Sequence, residues 1–239
     1  MTKKILITGA NGQLGHEMRN ALKGNNRFEC IFTDVAELDI CNAEAVKQTI
    51  ADNHIDYIVN CAAYTQVDKA EDNAELCRKI NTDAVENLAR AAATYGARMI
   101  HISTDYVFNG RGYRPYTEAM TPDPQSVYGS TKLEGEKILT DICPESIIIR
   151  TAWLYSPYGN NFVKTMLHLG KEREELSVVS DQIGTPTCAA DLAQAILVIL
   201  QADTFVPGTY HFSDEGACSW YDFTVTIHRL AGITTCRVT

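Results

Sequence analysis

The chain has 239 residues, of which 45% are hydrophobic and 21% are charged, so one large domain, or a domain with a smaller lobe, can bury an ample core. The net charge is -9 and there is no basic run, which argues against nucleic acid or an anionic membrane as a partner. No apolar stretch reaches the ~18 residues that a membrane span needs.

The eight cysteines are scattered, without a C-x-x-C pair. No signal-peptide pattern precedes the first strand-like run, so we expect reduced thiols and a cytoplasmic protein. The six histidines show no metal-binding spacing such as H-E-x-x-H, and we predict no metal site.

The first predicted strand, residues 4–8, runs into glycines spaced G-x-x-G-x-x-G, and a helix is predicted over residues 13–22. The first glycine permits a tight turn, the second lets the backbone approach a pyrophosphate, and the third lets helix and strand pack closely. The pyrophosphate would then lie at the helix N-terminus. This pattern predicts a dinucleotide site formed by Gly9, Gly12, Gln13, Leu14 and Gly15.

The second predicted strand, residues 28–33, ends at Asp34, nineteen positions after Gly15. A carboxylate there can accept hydrogen bonds from the ribose hydroxyls and would repel a 2′-phosphate, which favours NADH over NADPH. The alternative is an ordinary polar residue at a strand end. Asp39 and Ile40 follow as candidates to flank the adenine.

The next units repeat the alternation of strand and helix, with helices predicted at residues 43–52 and 74–95 and strands at 57–60 and 98–103. Repeated β-α units predict an α/β fold with a doubly wound parallel sheet of the Rossmann type. In such sheets ligands bind at the carboxyl ends of the strands. The residues at two of these ends are Ala62, Ala63, Tyr64 and Thr65, and Thr104 and Asp105.

A helix predicted from residue 128 to about residue 140 carries Tyr128 and Lys132, after a loop at residues 109–126. Positions i and i+4 lie on the same face of a helix, so the phenol and the ammonium would lie side by side. A neighbouring cation lowers the pKa of a tyrosine from about 10, and the phenol could then exchange a proton with a carbonyl or alcohol oxygen. The alternative is a pair of solvated neighbours on a surface helix.

After a strand at residues 146–150 the pattern changes to shorter elements. We predict helices at residues 161–170, 189–201 and 220–231, short strands at 176–179 and 210–212, and a turn at 184–187. These elements suggest a smaller substrate-binding lobe, interleaved with the end of the sheet. The predicted division is a nucleotide-binding domain at residues 1–152 and the lobe at 153–239.

Three segments together resemble the extended short-chain dehydrogenases/reductases: T-G-A-N-G-Q-L-G at residues 8–15, S-T-D-Y-V-F at 103–108 and Y-G-S-T-K at 128–132. Further segments at residues 67–71, 160–162, 181–187 and 220–223 resemble the members that act on dTDP-4-dehydro-L-rhamnose. The resemblance implies reduction of the C4 ketone of that nucleotide sugar with NADPH or NADH, giving dTDP-L-rhamnose.

The resemblance also implies a role for each matching residue. Thr104, Tyr128 and Lys132 match the catalytic triad, and Asn81 matches the asparagine of the preceding helix. Asp105 and Trp153, with Thr104, match positions that contact the sugar; Trp153 could instead be a core residue at the lobe interface. The cofactor positions are matched by Gly12, Gln13, Leu14, Asp34, Asp39, Ile40, Ala63, Tyr64 and Thr65.

The chain departs from the family in two places. Some members bridge a homodimer through Mg²⁺ held by glutamates; Glu17 matches one of these positions, but Ala190 stands at another and cannot ligate a metal. Members also continue past the position of Thr239 through a segment near the substrate. We therefore expect the cofactor half to function, and we expect sugar-nucleotide affinity to depend on that segment.

Three other functions are compatible with parts of this pattern. A 4,6-dehydratase would carry an acidic residue at the position of Tyr106, which cannot help to expel water. An epimerase uses the same Tyr and Lys but does not consume reduced cofactor stoichiometrically. A non-catalytic binding module, similar to the regulatory β subunit of methionine adenosyltransferase, would bind a partner protein without turning over a keto-sugar.

Overall fold

A computed structural model describes residues 2–239 and confirms the α/β fold. Its centre is a sheet of six parallel strands: β1 Lys3–Thr8, β2 Phe28–Thr33, β3 Tyr57–Asn60, β4 Arg98–Thr104, β5 Ile147–Thr151 and β10 Gly208–His211. Their order in the sheet is β10-β5-β4-β3-β1-β2. The chain enters at β1, runs outward to β2, and then crosses back to build the other half, which is the doubly wound topology.

Helices cover both faces of the sheet because its central strands are apolar on both sides. The helices are α1 Gln13–Ala21, α2 Ala43–Asn53, α3 Val67–Asp72, α4 Ala74–Arg78, α5 Ala84–Tyr95, α6 Val127–Ile142, α7 Phe162–Glu172, α8 Ala189–Gln201 and α9 Trp220–Leu230. On one face α1 and α8 bury Met18, Leu192 and Ile196 against β1, β3 and β5. On the other face α2, α5 and α6 bury Ile50, Leu88 and Leu139.

The last third of the chain contributes both to the sheet and to the region beside it. Its strand β10 pairs with β5, and its helix α8 packs on α1. The remaining strands have two residues each: β6 Leu154–Tyr155, β7 Glu175–Leu176, β8 Ile183–Gly184, β9 Thr187–Cys188, β11 Cys218–Ser219 and β12 Arg237–Val238. They form three separate pairs, β6 with β9, β7 with β12 and β8 with β11.

The single helix predicted over residues 74–95 is wrong. The segment is α4 and α5 joined by a π-helical turn at Lys79–Asp83, and a separate helix, α3, precedes it. Such a turn widens a helix and occurs often at functional sites. Here the side-chain amide of Asn81 pairs with the backbone of Tyr64. The N–H of Tyr64 donates to Asn81 Oδ1 at 2.9 Å, and Asn81 Nδ2 donates to the carbonyl oxygen of Tyr64 at 3.1 Å. Residues 184–187 likewise form parts of β8 and β9 around a short connection, where only a turn was predicted.

Helix α6 is tied to the sheet by a buried ion pair. Glu136 accepts hydrogen bonds from the guanidinium of Arg150 on β5, and the side chains are 5% and 7% exposed. Ser103 on β4 donates to the same carboxylate, so one residue of α6 contacts two strands. None of the helices in the described part of the chain is long and apolar enough to cross a membrane.

The close contact between α6 and the π-helical turn gives a stability prediction. A Cβ added at Gly135 would lie 2.3 Å from the carbonyl oxygen of Asn81, so the two segments would have to separate. We expect Gly135→Ala to lower the free energy of unfolding by about 2 kcal/mol, because the energetic cost of overpacking is larger than the stabilisation that alanine gives through its higher helix propensity. Urea denaturation measures this, with Ser130→Ala, an exposed change on the same helix, as the control. Equal stability of the two variants would contradict the packing described here.

Candidate active site

The crossover from β1 to α1 brings backbone close to backbone, as the glycine spacing predicted. Gly9 has φ +63°, and a Cβ there would lie 2.6 Å from the amide nitrogen of Ala62 at the end of β3. A Cβ at Gly15 would lie 2.4 Å from the carbonyl oxygen of Gly9. Helix α1 begins at Gln13, and its N-cap, Gly12, offers no side chain to the first turn. The N–H groups of that turn are therefore available to an anion.

A cavity of about 550 Å³, here named the glycine-loop cavity, opens beside this crossover. The Asp34 carboxylate accepts from the N–H groups of Asn11, at 3.0 Å, and Val35, at 2.9 Å, which holds it at the rim. Lys79 of the π-helical turn also lines the cavity. The predicted cofactor residues found here are Gly9, Gly12, Asp34, Asp39, Ile40, Ala62 and Ala63.

A larger cavity of about 900 Å³, here named the Tyr–Lys cavity, adjoins the first, and Gly12, Cys61 and Ala63 line both. Its walls come from the carboxyl ends of β3, β4 and β5 and from α6, which is where a doubly wound sheet binds ligands. The predicted residues found here are Gln13, Leu14, Thr65, Thr104, Asp105, Tyr128, Lys132 and Trp153.

Thr104 and Tyr128 meet at the end of β4. Tyr128 enters on α6, which Ser126 caps by accepting from the N–H of Gly129 at 3.0 Å. Thr104 is 5% exposed and Tyr128 is 8% exposed. Burial raises the pKa of the Tyr128 phenol, while a hydrogen bond with Thr104 works in the opposite direction. The phenol is therefore protonated at neutral pH.

The expectation that Lys132 lowers the pKa of Tyr128 is wrong for this structure. The Nζ atom of Lys132 is directed into the sheet, where it donates to the carbonyl oxygen of Ile102 at 2.6 Å and lies 3.2 Å from His101 Nε2. Lys132 is 1% exposed, and burial lowers its own pKa to about 8. Desolvation thus dominates over the attraction between neighbours on the helix face.

Three of the predicted residues line neither side of the reacting groups but hold the backbone segments around the Tyr–Lys cavity in place. Asn81 holds the backbone of Tyr64, and its amide also lies 3.4 Å from the hydroxyl of Thr131 on α6. The ring of Tyr64 packs in a cluster with Ala70, Cys77 and Tyr128. Gly15 packs on the backbone of the crossover. These contacts connect the end of β3 to the helix that carries Tyr128.

Trp153 lies between the sheet and the smaller elements. It has φ +48°, and one face of its indole stacks on Trp220 with ring centroids 3.4 Å apart. A Cβ at Gly184 would lie 2.4 Å from the same indole. Trp153 therefore belongs to an aromatic cluster with Phe162 and Phe223 and also lines the Tyr–Lys cavity.

The sequence reasoning missed several residues of the Tyr–Lys cavity. Gln66 and Lys69 lie at the start of α3, a helix that was not predicted. His101 was also missed; it is buried behind the cavity wall, where it contacts Lys132, within a strand that reads as apolar. A histidine among branched apolar residues was the only signal for it in the sequence.

The predicted absence of a metal stays a prediction. Glu17 is buried on α1 and accepts a hydrogen bond from Asn20 at 3.1 Å. Ala190 lies on α8, the helix that packs against α1. Among residues 2–239, no three His, Cys, Asp or Glu side chains are grouped to hold a metal ion.

A doubly wound sheet, a glycine crossover at a helix N-terminus, and a Tyr–Lys pair on the helix beside the end of β4 define a Rossmann-fold oxidoreductase of the short-chain type. Residues 3–239 match the sequence model of the RmlD substrate binding domain. The chain belongs to this family.

Its relatives include the dTDP-4-dehydrorhamnose reductase of Escherichia coli K12, which is 46% identical over 240 residues, covering 96% of this chain and 79% of that protein. The crystal structure of a dTDP-4-dehydrorhamnose reductase from Clostridium acetobutylicum is 52% identical, with a TM-score of 0.95 over 99% of this chain and 82% of that one. The Bacillus anthracis reductase, solved in complex with NADP, is 42% identical, with a TM-score of 0.95 over 100% of this chain and 84% of that one.

Asp105 gives a prediction about pH. Burial raises the pKa of its carboxyl group from 3.8 to about 6, against hydrogen bonds from Thr104 and backbone N–H groups that lower it. The folded protein therefore holds this proton more tightly than the unfolded chain does, and stability is lost as the pH rises from about 4 to about 6.

The substitution Asp105→Asn keeps an acceptor oxygen for Thr104. We expect this variant to be more stable than wild type by about 1–2 kcal/mol at pH 8 and by little at pH 4. The stability difference is not larger because the side chain is only half-buried and solvent screens its charge. Urea denaturation at the two pH values measures the difference. Asp52→Asn, an exposed change on α2, is the control. The same difference at both pH values would show that Asp105 has no raised pKa.

Proposed function

We propose that this chain catalyses the NAD(P)H-dependent reduction of the C4 ketone of dTDP-4-dehydro-L-rhamnose to dTDP-L-rhamnose, a step in nucleotide-sugar biosynthesis. The observation that carries the proposal is the meeting of Thr104, Tyr128 and Lys132 at one cavity, in a chain that belongs to this family. The relatives named above are reductases of this type.

The two adjoining cavities fit an extended dinucleotide. We propose that the N–H groups at the start of α1, Gln13 and Leu14, bind the pyrophosphate between them, since this helix end has no side-chain cap. In the glycine-loop cavity Asp34 would accept from ribose hydroxyls, and Asp39 and Ile40 would flank the adenine. Ala62, Ala63, Tyr64 and Thr65 would form the wall where the dinucleotide crosses the end of β3.

The bound nicotinamide supplies the hydride, and the chain supplies the proton. We propose that Tyr128 donates its phenolic proton to the sugar oxygen as negative charge develops there. The raised pKa of Tyr128 keeps that proton on the phenol until it is needed. An alkoxide is a stronger base than a phenolate, so the transfer remains downhill.

Thr104 and Lys132 assist this transfer in different ways. The Thr104 hydroxyl can donate a hydrogen bond to the same sugar oxygen, which stabilises the developing charge in a site with little water. Lys132 would hold the nicotinamide ribose from the floor of the cavity, and Asn81 would keep the end of β3 in place against α6. Asp105 and the free edge of Trp153 are the proposed sugar contacts.

Two further expectations belong to the same proposal. Some members of the family form homodimers; we propose the same assembly here, and sedimentation velocity of the purified chain tests it. A cytoplasmic location agrees with the cysteines, because all eight are free thiols in the structure.

The direct test is oxidation of NADPH and of NADH, followed at about 340 nm, with enzymatically generated dTDP-4-dehydro-L-rhamnose. The proposal expects one equivalent of reduced cofactor to be consumed for each sugar reduced. Turnover of the sugar without net consumption of cofactor would identify an epimerase instead. Cofactor binding without turnover of any keto-sugar would identify a binding module.

The role of Tyr128 gives a mutational prediction. We expect Tyr128→Phe to lower kcat by about 10²–10⁴-fold, because the ring remains while the transferable proton is lost. The Kd for NADPH, measured by fluorescence titration, should change by less than about 2-fold. Tyr95→Phe, an exposed change on α5, is the control. Turnover at the wild-type rate in Tyr128→Phe would remove this residue from the mechanism.

The position of Asp34 gives a prediction about cofactor choice. Its carboxylate lines the glycine-loop cavity and would repel a 2′-phosphate while accepting from a 2′-hydroxyl. We expect Asp34→Ser to raise the ratio of kcat/KM for NADPH over NADH by about 10-fold, equivalent to ~1.4 kcal/mol. Asp52→Ser on α2 should leave the ratio unchanged. An unchanged ratio in Asp34→Ser would show that this carboxylate does not discriminate between a 2′-hydroxyl and a 2′-phosphate on the ribose.

A further inference from the structure

A line of buried polar side chains runs from β1 through β3 and β4 to Lys132 on α6. Thr8 Oγ1 donates to Asn60 Oδ1 at 2.7 Å, and Asn60 Nδ2 lies 3.0 Å from His101 Nδ1. His101 Nε2 in turn lies 3.2 Å from Lys132 Nζ. Each of these four side chains is at most 1% exposed. Buried polar groups must satisfy one another, so the direction of each hydrogen bond follows from its neighbours.

The orientation of the Asn60 amide is set by the backbone. The N–H of Ala62 lies 3.2 Å from Asn60 Oδ1 and can only donate, so the oxygen of the amide must face it. The Thr8 hydroxyl donates to the same oxygen. The NH₂ group of Asn60 therefore faces His101, and His101 Nδ1 must accept from it.

The position of the proton on His101 follows. Burial is the main cause that holds the pKa of His101 well below its usual value, and a ring whose Nδ1 accepts cannot carry both protons, so His101 is neutral with one N–H. Because Nδ1 accepts, that N–H is on Nε2 and points at Lys132 Nζ. An ammonium group has no lone pair with which to accept it. The contact is a hydrogen bond only when Lys132 is a neutral amine, which can still donate to the carbonyl oxygen of Ile102.

We propose that His101, held in the Nε2–H tautomer by Asn60, is a positioning residue that favours the neutral amine of Lys132 and so lets Lys132 release a proton near neutral pH. The inference deepens the proposed function and rests on it. Tyr128 loses one proton in each turnover, and a lysine of this kind can return one to the phenolate and then regain its own from solvent. Lysine with its ordinary pKa near 10.4 would hold the proton too tightly.

The other charged and titratable groups around Lys132 do not account for this preference. Glu136, one turn further along α6, and Cys77 on α4 both raise the pKa of Lys132. Glu136 is in addition paired with Arg150 of β5. Tyr128, on the same face of α6, is protonated and carries no charge. Burial and the N–H of His101 are the two features that oppose the ammonium form.

The test is the substitution Asn60→Asp. A carboxylate at this position can accept from Thr8, Ala62 and His101 but cannot donate, so the proton of His101 must move to Nδ1 and Nε2 must offer its lone pair to Lys132. We expect the pKa of Lys132 to rise by at least about one unit, a ~10-fold tighter hold on the proton. Because the new carboxylate also attracts the ammonium form directly, the rise supports the proposal only if the ¹⁵N shifts show that the His101 proton has moved to Nδ1. Thr8→Val is the matched control, since it changes a buried contact of the same Asn60 oxygen while leaving Ala62 and the tautomer in place.

The pKa of Lys132 is measured by NMR on the full chain labelled with ¹³Cε-lysine, the signal being assigned with Lys132→Arg. The tautomer of His101 is read in the wild-type protein from its ¹⁵N shifts, which needs no variant to fold. The proposal predicts a protonated Nε2 in wild type, a raised Lys132 pKa in Asn60→Asp, and an unchanged one in Thr8→Val. A protonated Nδ1 in wild type, or the same Lys132 pKa in all three proteins, would overturn it.

The functional consequence is read from the pH dependence of kcat with keto-sugar and NADPH. The alkaline limb of the pH profile should move to higher pH in Asn60→Asp, together with the Lys132 pKa. It should stay at the wild-type pH in Thr8→Val. A Lys132 pKa that moves while the limb stays would overturn the role of His101 in turnover. The absence of turnover in wild type, with the NMR results as expected, would contradict the proposed function and leave the tautomer assignment standing.

Discussion

The buried attachment of α6 to the end of the sheet is the interaction on which the site depends. Glu136 joins the helix to Arg150, and the Lys132 side chain joins it to the carbonyl oxygen of Ile102. Removing one partner of such a buried pair costs about 3–5 kcal/mol, because the other charge is left uncompensated. The same contacts that hold the helix place Tyr128 and Thr104 at a common cavity wall.

Exclusion of water then sets the chemistry of the side chains. Burial raises the pKa values of Tyr128 and Asp105 and lowers that of Lys132, so each group is shifted toward its neutral form. A site built in this way can supply a proton and a hydrogen bond without carrying much charge of its own. The chain, with a net charge of -9, must therefore hold an anionic dinucleotide through local N–H donors such as those at the start of α1.

Much of the fold could be predicted because it follows local rules. The glycine spacing predicted the crossover at Gly9 and Gly15, and the alternation of strands and helices predicted a parallel, doubly wound sheet. The place of β10 in that sheet was not predicted, because its residues read only as a short strand of the smaller lobe. The π-helical turn was not predicted: it contains Asn81, whose pairing with the backbone of Tyr64 is a tertiary contact that local sequence patterns do not reveal. The direction of the pKa shift of Tyr128 could not be predicted either, since helix spacing reveals the nearness of Lys132 but not the burial that outweighs it.

The central claim is that this chain moves a hydride from a nicotinamide to C4 of a keto-sugar. The most direct measurement is ¹H NMR of the sugar nucleotide formed from dTDP-4-dehydro-L-rhamnose with cofactor deuterated at the transferable position of the nicotinamide. The account predicts a dTDP-L-rhamnose product that carries the deuterium at C4. A product without the label at C4, or with the label elsewhere on the sugar, would contradict it.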